Sequence, residues 1–139
     1  MTITAFLTLR GVALSVLTAS AATALPSTAF ERAEVFATCE GRLSALATNQ
    51  RALKNPDQRQ TEQVRADFDL MLDATLPAAW AQGVPPTQHV QWRSSGWSEI
   101  AALLADTYYS VDPGRVRRAE DAITQRIDAC QSLLLSAAR

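Results

Sequence analysis

The sequence predicts an all-α protein: an up-down-up-down four-helix bundle, or a closely related small helical bundle, with one disulfide, after an N-terminal signal peptide. Three observations predict it. Beyond residue 27, apolar residues recur at steps of three and four in four successive segments, three of which open on a capping box or on a cap residue followed by proline. No stretch of four to eight residues alternates apolar with polar, and β-branched residues are sparse after the N-terminal segment, so no strand is expected. The two cysteines, Cys39 and Cys130, fall on the apolar stripes of the first and last segments, at heights that antiparallel packing brings level.

The N-terminal segment comes first. Residues 1–29 contain no Asp or Glu, and Arg10 is their one charged side chain. From Gly11 to Leu25 runs an uncharged, mostly apolar stretch followed by small residues. A weakly positive start, a short apolar run and a small-x-small site are the layout of a secretory signal. Ala22-Thr23-Ala24 fits the peptidase site, and Ser27-Thr28-Ala29 is the alternative. The expected division is therefore a signal peptide over 1–24, with cleavage after 29 as the variant, and one helical domain over 25–139. A membrane span needs about 20 apolar residues, and this run is shorter and diluted by Ser and Thr. No stable membrane anchor is expected after cleavage, and the product belongs in the periplasm or the extracellular space.

The first helix opens on Thr28-Ala-Phe-Glu31, a capping box in which hydroxyl and carboxylate each reach the other residue's backbone N–H. Phe36, Cys39, Leu43, Leu46 and Leu53 make one stripe along it, and it ends near Lys54. The second starts at once with Asn55 as cap and Pro56 in the first turn. Val64, Phe68, Met71, Leu72 and Thr75 share its apolar face, and it is expected to stop before Pro77. Residues Leu76 to Pro86 hold three Pro and one Gly and read as a long connection. The third helix, from about Thr87 to about Ser110, presents Val90, Trp97, Ile100, Leu104 and Tyr108, flanked by Trp92 and Leu103. Gly96 in its middle predicts a weak point, a kink or a short leading helix. The fourth opens on Asp112-Pro113 and carries Val116, Ile123, Ile127, Cys130 and Leu134.

An even number of cysteines in an exported chain favours a disulfide, and here one intramolecular pairing exists. The competing chemistries lack their residues. The cysteines stand ninety-one positions apart, His89 is the sole histidine, and there is no C-x-x-C or C-x-x-C-H. No metal or cofactor is expected. Met71 reads as a core gap-filler rather than a haem ligand. His89 beside Ser94, Ser95 and Ser98 has no acidic residue placed to orient it, which argues against a hydrolase triad. Asp67, Asp69 and Asp73 read as a solvated helix face. No catalytic residue is therefore assigned.

A formal charge of −1, becoming −2 without Arg10, does not suit nucleic acid or anionic lipid. Twelve of the thirteen cations are Arg, scattered through all the helices, which reads as codon bias. The remaining candidates are aromatic: Trp80, Trp92, Trp97, Tyr108 and Tyr109, joined by His89. Side chains of this kind serve where one side is apolar and the other wet. Trp80 and the Pro-rich connection are expected to form one lip of a groove, with Trp92 and Tyr109 as the other. The expected occupant is a protein partner or, alternatively, a small apolar ligand held between helices. The expectation is thus a non-enzymatic exported binding or structural protein, with a ligand or cofactor carrier as the alternative.

Overall fold

The structure is a computed structural model that describes residues 25–137, so the expected signal peptide lies outside the described residues. They form α1 (Ala29–Ala52), α2 (Gln58–Ala81), α3 (Gln88–Tyr109) and α4 (Pro113–Ala137), and no strand. The capping box closes as expected: the Thr28 hydroxyl accepts from the Glu31 N–H at 3.1 Å, and Glu31 Oε2 accepts from the Thr28 N–H at 3.2 Å. Chain reversal after α1 is made by Lys54 at φ 55°. The Asn55 side chain then accepts from the Asp57 N–H at 2.9 Å and holds the turn, so α2 begins three residues after the expected cap. At α4, Asp112 Oδ1 accepts from the Gly114 N–H at 2.8 Å, with Pro113 in the first turn.

The break expected before Pro77 does not occur, and the question left open at Gly96 is answered by an unbroken helix. α2 runs through Pro77 to Ala81. Proline removes one backbone donor and crowds the preceding turn. Here its ring lies on the exposed face while Leu76 and Ala79 are buried, and their packing carries the helix onward. The connection shrinks to residues 82–87, turned by Gly83 at φ 92° and pinned by the buried Val84. α3 is likewise continuous through Gly96. A Cβ there would lie 2.1 Å from the Thr38 carbonyl oxygen, and one on Gly41 would lie 2.0 Å from that of Arg93. These glycines let two helix backbones touch, and the contact outweighs the low helix propensity.

Contacts along the helices fix their directions. Glu40–Arg65 and Arg51–Glu62 run α1 and α2 antiparallel. Phe30–Trp92, Arg42–Glu99 and Asn49–Tyr108 run α1 and α3 parallel. Glu99–Arg126 and Asp106–Arg115 turn α4 back along α3. The order is up-down-up-down, and the Cys39–Cys130 disulfide joins first helix to last with a Cα–Cα distance of 5.6 Å.

α1 is the axis of the molecule. α2 and α3 pack extensively on it, while α4 rests mainly on α3 and touches α1 lightly. Consequently α1 is buried on several sides, at Ala29, Ala33, Ala37, Gly41 and Ala45 as well as at Phe36, Cys39 and Leu43, rather than along a single stripe. Leu53, placed on that stripe by periodicity, is 57% exposed. Phe68, Leu72 and Ile100 complete the fully buried centre with Leu43. Side chains of this kind each contribute about 1.5–3 kcal/mol when removed from water.

Candidate functional site

Four consecutive residues of α1 fasten the other three helices. Cys39 is bonded to α4. Glu40, 4% exposed, meets Arg65 of α2 at 2.9 Å and Arg93 of α3 at 2.5 Å. The Arg93 pair attracts as two charges without hydrogen-bond alignment, and Arg93 Nη2 donates instead to Asp69 at 2.8 Å. Gly41 admits the backbone of α3. Arg42 meets Glu99 of α3 at 2.7 Å, and Glu99 also accepts from Arg126 of α4 at 2.6 Å.

A buried carboxylate such as Glu40 would cost several kcal/mol without such partners, so its triad fixes where α1, α2 and α3 sit. Burial pushes the Glu99 carboxyl up, but the hydrogen bonds from Arg126 and Arg42 outweigh it and hold the group below the usual carboxylate range. The hydrogen bond to Glu40 raises Arg65. Arg42, Arg65, Arg93 and Arg126 are thus partners of specific carboxylates, and the half-exposed Asp69 joins this network through Arg93. The pattern is visible after the fact: Glu40-Gly41-Arg42 is complementary to Arg93, Gly96 and Glu99 at three-residue steps.

The aromatic candidates do not gather. Trp92 is half-buried and meets Phe30 edge-on, with ring centroids 5.4 Å apart. Phe30 was not singled out by periodicity, although its N–H also receives support from Gln82 Oε1 at 3.2 Å. Trp80, 44% exposed, ends α2 at the same end of the molecule. Tyr109 lies seventeen residues beyond Trp92 on an unbroken helix, about 25 Å away. Trp92 and Tyr109 therefore cannot form one lip.

The face of α3 expected to point inward is also turned. Trp92, Gly96, Ile100 and Leu103 face the bundle, whereas Val90, Trp97 and Tyr108 are 54%, 45% and 53% exposed. These three share one side of the helix with Leu104, at spacings of seven, seven and four. Gly96 is what turns the helix, since only that side can approach α1 closely.

His89 is half-buried in the first turn of α3, and its Nδ1 is enclosed without a hydrogen-bond partner. Met71 packs against the core. Among the described residues no three His, Cys, Asp or Glu side chains are grouped as a metal site, and no helix is long and apolar enough to cross a membrane. A groove of about 410 Å³ runs beside the disulfide between α1 and α4, walled by Val35, Cys39, Ala129, Cys130 and Leu133. Arg42 Nη1 reaches Cys130 Sγ there at 3.9 Å. No protein-family model, curated protein or solved structure matches the chain.

Proposed function

We propose that the chain acts outside the cytoplasm as a non-enzymatic binding protein that presents the half-exposed flank of α3 to a protein partner. The observation that carries this reading is the half-exposed apolar stripe Val90–Trp97–Tyr108 on the flank of a helix whose adjoining side is pinned to α1 at Gly96. Half-exposed Trp and Tyr at helical spacing suit a partner segment laid along the helix. Pinning lowers the entropic cost of association, because the presented side chains ride on a helix that is already ordered. The disulfide is compatible with an oxidising compartment.

The test places a photo-reactive residue at Trp97 or Tyr108, with Gln125 on the exposed side of α4 as control, in cells that make the protein. One discrete crosslinked partner from α3 and none from α4 supports the reading. No crosslink from α3, or the same products from both helices, overturns it. The export component is checked separately by the mass of the purified chain, expected to begin at Leu25 or Phe30.

The groove beside the disulfide favours a second reading, a carrier of a small apolar ligand, because its size is within the usual range for ligand pockets. A native mass spectrum of protein from its own source distinguishes the two. A retained small molecule favours the carrier, and the bare chain favours the binding protein.

A further inference from the structure

We propose that the Cys39–Cys130 disulfide is a redox latch: reduction releases α4 as a unit and leaves α1, α2 and α3 folded. The inference stands apart from the partner of α3 and rests on how unequally the helices are held. α1, α2 and α3 share the Gly41–Gly96 crossing, the Phe36–Phe68 contact and the buried charge of Glu40. Leu43, Phe68, Leu72 and Ile100, all from these three helices, are fully buried.

α4 has 25 residues, yet Ala119, Ile127 and Cys130 are its buried ones among the described side chains. Its cross-helix ion pairs, Arg126–Glu99 and Arg115–Asp106, both reach α3 and leave their arginines 40% and 59% exposed. Pairs that wet contribute little. Against α1 the contact is slight, and the groove along that seam shows that the bond spans a gap which side chains do not fill. The covalent link therefore substitutes for packing at this one seam.

Opening the latch requires a dithiol reductant. The reductant gives up two electrons and two protons and closes to its own disulfide, while the Cys39–Cys130 bond becomes two thiols. Residues 110–112 are then its one covalent tether within the described chain, and its packing on α3 is what opposes departure. Its departure uncovers Val35 and Leu46 of α1 and Leu103 of α3, which line the seams with α4 beside Leu133, Ile127 and Ala119 respectively. Regions with few buried contacts open separately from the rest of a fold, and α4 is that region here.

Hydrogen exchange followed by mass spectrometry tests the latch on the full mature chain, oxidised and then reduced by dithiothreitol. Amides of residues 116–134 are expected to exchange about 100-fold faster after reduction, while those of 36–47, 64–76 and 96–104 keep their protection. Helical circular dichroism should fall by about a quarter, in proportion to the 25 residues of α4, and reoxidation should restore both. The Cys39→Ser/Cys130→Ser chain should behave like the reduced protein. Loss of protection in all four helices together overturns the proposal, as does unchanged protection in α4. If the double variant does not fold, pulse labelling of the parent chain directly after reduction gives the same two outcomes.

Discussion

Gly96→Ala sets helix propensity against helix crossing. In an open helix interior the exchange stabilises by about 1 kcal/mol. At this position the new Cβ would lie 2.1 Å from the Thr38 carbonyl oxygen and 3.2 Å from its Cα, where ordinary contact begins near 3.4 Å. The obstacle is the backbone of α1 rather than a side-chain tip that can swing away, so the two helices must move apart. Arg93–Glu40 and Arg42–Glu99 straddle the crossing and lengthen with it. Overpacking of this kind costs about 1–3 kcal/mol, sometimes more, and weakening two charge-assisted contacts adds to it. A net loss of about 2–4 kcal/mol is expected after the propensity gain, a fall in Tm on the order of 10 °C. Urea and thermal unfolding followed at 222 nm measure it. Gly114→Ala is the control, because its Cβ meets only the movable ends of Arg118 and Asp112 at 3.2 Å, and it should stay within about 0.5 kcal/mol of the parent. A Gly96→Ala protein as stable as the parent would refute the crossing argument.

Glu99→Gln should cost about 1–2 kcal/mol at pH 7, since it breaks the charge-assisted bonds from Arg42 and Arg126. Because the folded pKa of Glu99 is depressed, its contribution is complete above the unfolded value of about 4.3 and is lost as pH falls through the folded value. The gap between parent and variant should therefore close below pH 4 in urea titrations, and a gap independent of pH contradicts the assignment. Ile100→Ala should cost about 2–5 kcal/mol, whereas Trp97→Ala, despite its larger side chain, should cost less than about 1 kcal/mol; equal losses would mean that Trp97 belongs to the core. Pro77→Ala should raise Tm, by restoring a donor to the Asp73 carbonyl and relieving the proline ring in a helix that continues regardless; a lower Tm would show that the proline is needed where it stands.

Helix number, direction and the disulfide were legible in the sequence because each had a local signal: the Thr28/Glu31 box, the Asp112-Pro113 start, and two cysteines at matching heights. What escaped was decided between helices. Pro77 and Gly96 are breakers by propensity, and only the packing of Leu76 and Ala79, or the approach of Thr38, reverses that expectation. The inward side of α3 was misjudged for a related reason. Periodicity finds the most apolar face, Val90–Trp97–Tyr108, whereas close approach selects the face carrying glycine. α1 looked like an ordinary amphipathic helix because Ala29, Ala33, Ala37 and Ala45 weigh little in an apolar count, though their four-residue spacing with Gly41 was there to be read. The aromatic candidates are dispersed because Trp92 and Tyr109 stand seventeen residues apart on one continuous helix.

The place of Cys39-Glu40-Gly41-Arg42 also sets an order of events. α1 is the first described helix to be synthesised, and its four fastening residues find their partners at residues 65, 93 to 99, and 130. Each later helix completes one more side of it. Once α2 and α3 are in place, α1 stays open only along the seam that α4 covers. α4 and its bond at Cys130 thereby close last, over three helices already assembled around α1.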